Sequence, residues 1–429
     1  MNKALKSVTV LALLSSVAFA GDEAKDLKKK IEDQAIYVET AKPGIVLSGY
    51  VDAGYQYSFT GGGTVGSVRN GGDRTATGGR FDVNAVKLAI EKPLSTKNEF
   101  TSGFRVDGMY GSDVGTGGIT GYGATAPSGG ASFGVEQAYV QLRVPAGNGI
   151  DLKIGKFVTI LGYEVIERPA NLNVSYSNVF QNMIPLAHTG ILAAYKFNDI
   201  VDVKFGVVNG GLSGTDANTN TVSGIAGTGG KSNSGGILAA VNLTAPGGNA
   251  NVQNSVFFGF NETAQTSGVA PAATPLAGNE SNPLWIYDIV GTWKPKFAGD
   301  KLTLGVEGDL GQYNQTTALV GGTENTTTWG GAALFAKYQF TKIFSLADRL
   351  DWIHTDDGGK FNAGFGSSDI YSETITASFD IWENTLLRAE YRLDYGSDLL
   401  TTSNPGAITG VSTSNGPAHL VDLEVVYSF

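Results

Sequence analysis

Val421-Asp422-Leu423-Glu424-Val425-Val426-Tyr427-Ser428-Phe429 ends the chain, with apolar or aromatic odd positions and mainly polar even ones. A β-strand sorts such a sequence onto two faces, whereas a helix would mix the charges into the apolar side. Leu387-Arg388-Ala389-Glu390-Tyr391-Arg392-Leu393-Asp394-Tyr395 alternates in the same way. So does Leu302-Thr303-Leu304-Gly305-Val306-Glu307-Gly308-Asp309-Leu310. A soluble sandwich and a membrane barrel both alternate, but they bury opposite faces.

Loop length separates the two. Sixteen strands are expected, at roughly 44–58, 80–92, 98–110, 133–145, 149–157, 187–198, 200–210, 234–245, 252–263, 283–295, 299–313, 328–341, 343–355, 366–380, 384–397 and 417–429. Connections after even strands are short, centred on residues such as Gly147-Asn148, Asn198-Asp199 and Glu383-Asn384. Those after odd strands are long and rich in Gly, Ser, Thr and Asn. Short turns at one end and long loops at the other are the pattern of an outer-membrane barrel, and an even strand number leaves both termini on the short-turn side. The terminal Phe429 and the aromatics Trp285, Trp293, Tyr338, Trp352 and Tyr395 near strand ends suit a lipid interface. Closure also gives every edge a partner where lipid offers none. The expected fold is therefore an all-β transmembrane antiparallel β-barrel of about sixteen strands over residues 44–429.

Composition agrees. The chain has 429 residues, of which 60 are Gly and none Cys, and 16% are charged. The lack of Cys removes disulfides and thiolate sites. After the first twenty residues no apolar run is long enough for a membrane helix. A net charge of −10 argues against a nucleic-acid partner. Lys3 and Lys6, the apolar stretch from Val8 to Leu14 and Ala18-Phe19-Ala20 read as an export signal peptide over residues 1–20. Residues 21–43, with the helix-forming stretch Asp22 to Ala35, read as a short N-terminal periplasmic helix and linker.

Sixteen strands leave a wet lumen. Facing the apolar set outward places these charges inside: Asp52, Lys87, Arg105, Asp107, Arg143, Asp151, Lys153, Lys196, Asp202, Lys204, Asp288, Glu307, Asp309, Lys337, Arg349, Asp351, Asp380, Arg388, Glu390, Arg392, Asp394, Asp422 and Glu424. They are either wall-stabilising ion pairs or a transverse field acting on polar solutes. Both signs are too evenly represented to name an ion preference. Asp348 and Glu373 fall on the lipid side. The third long connection, Val158 to Leu186, has little Gly and carries packing side chains, so it is expected to be ordered.

Enzyme readings find no support. His188, His354 and His419 share no metal-ligand spacing, and no nucleophile motif is present. Gly229-Gly230-Lys231-Ser232 lacks the first glycine of a phosphate loop. Asp216-Ala217-Asn218-Thr219-Asn220 lacks the turn glycine and terminal glutamate of a calcium loop. No catalytic residue, cofactor or metal is expected.

Several stretches carry a resemblance. They are Phe81-Asp82-Val83-Asn84-Ala85-Val86-Lys87-Leu88 before Glu91-Lys92-Pro93, Gln137-Ala138-Tyr139-Val140, and Gly155-Lys156-Phe157 with Gly162-Tyr163-Glu164. Asn173, Tyr176-Ser177, His188-Thr189-Gly190 and Arg388-Ala389-Glu390-Tyr391-Arg392 continue it. Together they resemble the OmpL-like β-barrel porin family over nearly the whole exported chain. The resemblance implies an outer-membrane porin passing small hydrophilic solutes or ions, with homotrimers as the analogy for porins of this size. In general porins the loop after the fifth strand folds into the lumen. By that resemblance Glu164, Glu167 and Arg168 are the candidates for the pore constriction; an ordered extracellular cap is the alternative. A channel selective for sugars or peptides, and a non-conducting structural or adhesion barrel, also remain open.

Overall fold

The computed structural model describes residues 44–59, 78–116, 132–209, 235–260, 284–316, 324–355, 368–396 and 417–429. The signal peptide and N-terminal helix expected from the sequence lie outside them. The strands are β1 (Val46–Ser58), β2 (Gly78–Lys92), β3 (Thr101–Gly111), β4 (Ser132–Val144), β5 (Ile150–Val158), β6 (Ala187–Lys196), β7 (Val201–Asn209) and β8 (Gly235–Thr244). They continue as β9 (Ala250–Phe260), β10 (Leu284–Trp293), β11 (Leu302–Thr316), β12 (Glu324–Gln339), β13 (Phe344–Thr355), β14 (Ser368–Trp382), β15 (Thr385–Gly396) and β16 (Ala418–Ser428). Two short helices follow β3 and β5: α1 (Asp113–Thr116) and α2 (Asn178–Met183). No described helix is long and apolar enough to cross a membrane.

Each strand pairs antiparallel with its sequence neighbours, and β1 pairs with β16 to close the barrel. Phe429 and Gly49 exchange backbone hydrogen bonds of 3.0 Å across that seam. Closure removes the edges, so every strand finds its partners inside the sheet. The tight turn between β14 and β15 is made by Glu383-Asn384, with Asn384 at φ 58°, a left-handed conformation that Asn tolerates better than most residues.

The outer surface is apolar. Val51, Leu88, Val140, Ile191, Val241, Leu334 and Val425 all point outward and are exposed. Trp293, Tyr338 and Trp382 ring the short-turn end, and Trp285, Trp352, Tyr371 and Tyr395 ring the long-loop end. These are the two girdles of a membrane barrel. Asp348 and Glu373 interrupt the outer face on β13 and β14.

Of three register shifts among the described strands, one lies at Phe379/Trp382 beside the β14–β15 turn and two are bulges that change the facing of polar side chains. Between β1 and β2 the register shifts at Asp52/Ala53, which leaves Asn84 as the extra residue. Between β3 and β4 it shifts at Asp107/Gly108, leaving Glu136 extra. A bulge of this kind turns neighbouring side chains to the same side. Glu136 and Gln137 are both buried as a result.

Candidate functional site

The lumen is where the inner faces of the strands meet, and the segment 159–186 runs through it. Its two ends lie side by side, since Val158 faces Ala187 in the ladder and the Thr159 N–H donates to Leu186 O at 3.0 Å. Everything between leaves the wall and returns. It contains a single helical turn at Arg168–Ala170 and α2, whose first turn is capped by Ser177 Oγ accepting from the Phe180 N–H at 2.9 Å.

A loop inside a barrel carries backbone groups that need partners. The wall supplies them. On β9, Gln253 Nε2 donates to Ile160 O at 2.6 Å. On β15, Arg388 donates to the carbonyls of Arg168, Asn171 and Asn173 at 3.0–3.1 Å. Arg392 donates to Tyr176 O at 2.6 Å. Glu390 accepts from the N–H groups of Val174 at 2.5 Å and Ser175 at 2.9 Å. On β13, Asp351 accepts from the N–H and Nδ2 of Asn178 at 3.1 and 2.9 Å. On β12, the Trp329 indole donates to Met183 O at 3.2 Å.

The three candidate constriction residues hold the same loop from its own side. Glu164 accepts from Arg349 at 2.8 Å and from the Ser177 N–H at 2.7 Å. Glu167 meets Lys87 Nζ at 2.6 Å. Arg168 pairs with Asp113 at 3.1 Å, donates to Val174 O at 3.0 Å, and lies 3.8 Å over the Tyr176 ring. All three are buried, at 3%, 4% and 0% exposure. They fasten the loop and present almost no surface to water.

Lys87 is the hub of this anchorage. Its ammonium lies 2.6 Å from Glu167, 2.8 Å from Glu136 and 3.3 Å from Asp107. Arg105 grips Asp107 with two nitrogens. Burial alone would push the Glu167 carboxyl up, but the charges of Lys87 and Arg105 outweigh it and hold it below the ordinary carboxylate range. A depressed carboxylate contributes stability that is complete above its unfolded value, about 4.3, and is lost as pH falls through the folded value. The Lys87–Glu167 strut is therefore expected to hold from neutral pH to about pH 4 and to fail on further acidification. Single-channel recordings from pH 7 to pH 3 should show loop noise only at the acid end, while Glu167→Gln should show it at pH 7.

The two ends of the lumen differ. Towards the long loops the inward residues of β9, β10, β13 and β14 are apolar. Phe257, Leu284, Ile286, Ile353 and Ile370 are at most 3% exposed and form one core with Val179, Phe180, Met183 and Ile184 of the loop. Tyr163 stacks on Phe335 with ring centroids 4.1 Å apart. Its ring sits over Gly305, where a Cβ would come within 2.4 Å of it. Burial, with Glu164 and Glu307 alongside, raises the Tyr163 phenol above its ordinary value, so it stays neutral.

Towards the short turns the lumen is wet and charged. Arg105, Arg143, Lys153, Lys196, Lys204 and Lys337 keep partial exposure there, with Glu91, Asp151, Asp202 and Asp380. Arg143 is bound to Asp151 at 2.5 Å, and Lys196 to Asp199 at 2.7 Å. Lys153 has the Tyr139 ring 4.8 Å away. The acids Asp52, Asp107, Glu136, Asp394, Asp422 and Glu424 are buried instead. Inward charges thus divide into a partly exposed set and a buried set, which alternation alone could not show. Glu136 and Asp113 were not among the residues expected inside. The bulge at Glu136 breaks the parity on which that expectation rested, and Asp113 lies beyond the end of β3.

Residues 44–429 match the model of the family described as "Putative beta-barrel porin-2, OmpL-like". The chain belongs to that family. The sequence resemblance, the sixteen-stranded barrel and the family match agree, and they are those of a channel protein rather than an enzyme. Among solved structures, this porin is similar to the outer membrane channel DcaP of Acinetobacter baumannii, with 12% identity, 92% of this chain and 100% of that chain covered, and a TM-score of 0.59. It is also similar to an anion-selective porin from Comamonas acidovorans, at 11% identity, 90% and 99% coverage and a TM-score of 0.57. A third is the trimer form of OmpT, an outer membrane protein of Vibrio cholerae, at 10% identity, 90% and 99% coverage and a TM-score of 0.54. At these identities the likeness is one of fold. No curated protein sequence matches the chain.

Proposed function

We propose that this porin is a passive diffusion channel of the outer membrane for small hydrophilic solutes, narrowed by the loop 159–186. The observation that supports it most is the loop's anchorage to the inner wall from β2 through β9 to β15, with a wet, charged vestibule beneath it. Glu164, Glu167 and Arg168 act as fasteners that set the position of the constriction. The partly exposed lumen charges among the described residues carry more bases than acids, although the chain as a whole is acidic. That favours anions in the vestibule. Homotrimers fit this reading. The outward acids Asp348 and Glu373 would be costly against lipid, and a neighbouring copy would shield them.

A second reading is a lumen sealed at rest. It is favoured by the near-complete burial of loop residues 173–180. Planar-bilayer recording separates the two. Stable ohmic steps with a reversal potential on the anion side are the expected result. Absence of conductance from folded, heat-modifiable protein would retire the open-pore reading in favour of the sealed one.

A further inference from the structure

Asp288, Glu307 and Asp309 form a second trio of carboxylates, on the opposite wall from Lys87. Asp288 on β10 faces Asp309 on β11 directly in the ladder, and Glu307 lies two residues from Asp309 on the same inward side. Like charges set opposite each other destabilise a strand pair. Glu390 also faces Asp422, but Arg388 and Arg392 flank it on β15, while Arg143 with Asp151 and Arg388 with Glu424 face as opposite charges.

The three are buried, at 0%, 0% and 1% exposure. One oxygen from each lies within 4.8 Å of the others. Neither oxygen of Asp288 or of Glu307 receives a hydrogen bond of normal geometry, although the Gly162 backbone and Ser255 lie beside Asp288 and the Tyr163 backbone beside Glu307. Among the described residues, no lysine or arginine forms an ion pair with Asp288 or Glu307. The matching trio of Asp107, Glu136 and Glu167 has the Lys87 ammonium between its members. An isolated buried carboxylate is costly, and the cost grows when others of the same sign adjoin it.

We propose that Asp288, Glu307 and Asp309 bind one calcium ion, which takes the place that Lys87 holds on the other wall. The donors are all hard oxygens and the site is triply acidic, which suits a group-two cation rather than a softer metal. Oxygens sharing an ion at 2.3–2.6 Å lie up to about 5 Å apart, and the observed spread fits within that. The smaller magnesium ion would require a tighter set.

The site also meets the loop. Gly162 has φ +92°, and a Cβ there would come 3.3 Å from Glu307 Oε1 and 2.6 Å from Ile184. The loop backbone therefore approaches the carboxylates as only glycine readily permits. Ser255, which faces Asp288 from β9, donates to Ile160 O at 3.3 Å. Calcium would latch the first turn of the loop to β10 and β11. No motif announces this site, because the register of the β10–β11 pair brings the acids together.

The test uses the folded full-length exported chain in detergent, stripped with EDTA and titrated with calcium chloride by calorimetry. One calcium per chain is expected, with the heat-unfolding midpoint rising on addition and falling back with EDTA. Glu307→Gln and Asp288→Asn remove charge at nearly constant volume and should each weaken binding at least tenfold. Glu136→Gln, in the other trio, should leave stoichiometry and affinity unchanged. Absence of binding to the wild-type chain would overturn the proposal, and that arm depends on no variant. Unchanged binding in Glu307→Gln would place the calcium elsewhere and overturn it equally. Because binding is read without a bilayer, either outcome stands apart from whether the barrel conducts.

Discussion

Replacing Arg349 with alanine is expected to release the loop from its seat and raise single-channel conductance. Arg349 is fully buried on β13 and has no contact with water. Its guanidinium binds Glu164 at 2.8 Å and Asp351 at 3.3 Å. It also donates to the carbonyls of Ser175 and Tyr176 and to Thr374 Oγ1 at 3.0 Å. It therefore joins both ends of the loop's inner arc to one strand. Removing it strands Glu164 in a dry site, and breaking such a buried pair costs about 3–5 kcal/mol. That would shift the seated-to-released equilibrium by a factor on the order of 10² to 10⁴. The barrel itself should survive, since the β12–β13–β14 ladder does not use this side chain. Recordings should show larger, noisier steps with heat-modifiability retained. Unchanged conductance and noise would mean that the loop is held without Arg349. Glu164→Gln keeps the shape and should give a milder version of the same effect.

The strands were legible because the sequence states each one twice, once by alternation and once by the turn residues that end it. In Leu387 to Tyr395 the polar set is unbroken, and every member of it faces inward. Alternation stops being a guide where the ladder slips. Glu136 follows Val135 and precedes Gln137, so strict parity would have set it against lipid. The bulge opposite Asp107 turns it in, and nothing local in the sequence marks that slip. The third loop was legible as ordered but not as anchored. Its acids and arginine read as a charged aperture, whereas they are the buried halves of pairs whose other halves lie far away in sequence. One signal could have shown the apolar seat. Leu284-Trp285-Ile286-Tyr287 and Trp352-Ile353 are apolar on both faces, which a strand between lipid and water has no reason to be. Such a run means that the inner face meets protein.

That seat decides what should happen when the loop is excised. Joining Thr159 to Leu186 through an Asn-Gly turn is sterically simple, because these residues are already paired across the hairpin. Excision differs from removing one fastener. Taking out a single partner leaves a buried charge dry, but taking out the loop floods the lumen, and Arg349, Arg388 and Lys87 regain water. Their wall partners also remain, since Arg388 keeps Glu424 and Arg392 keeps Asp394 at 2.8 Å. The electrostatic cost should therefore be small. The larger cost falls on the apolar inner surface, where Leu284, Ile286, Ile353, Ile370 and Phe257 would lose their cover. Each such side chain contributes roughly 1.5–3 kcal/mol when fully buried. The excised barrel is expected to close and insert, to unfold at a lower temperature, and to carry a conductance well above that of Arg349→Ala. This holds whether the intact lumen is open or sealed at rest. A loop-free barrel that conducted no better than the intact chain would show that the segment 159–186 does not limit the pore. The constriction would then have to be sought in the charged vestibule around Arg105, Lys153 and Lys204.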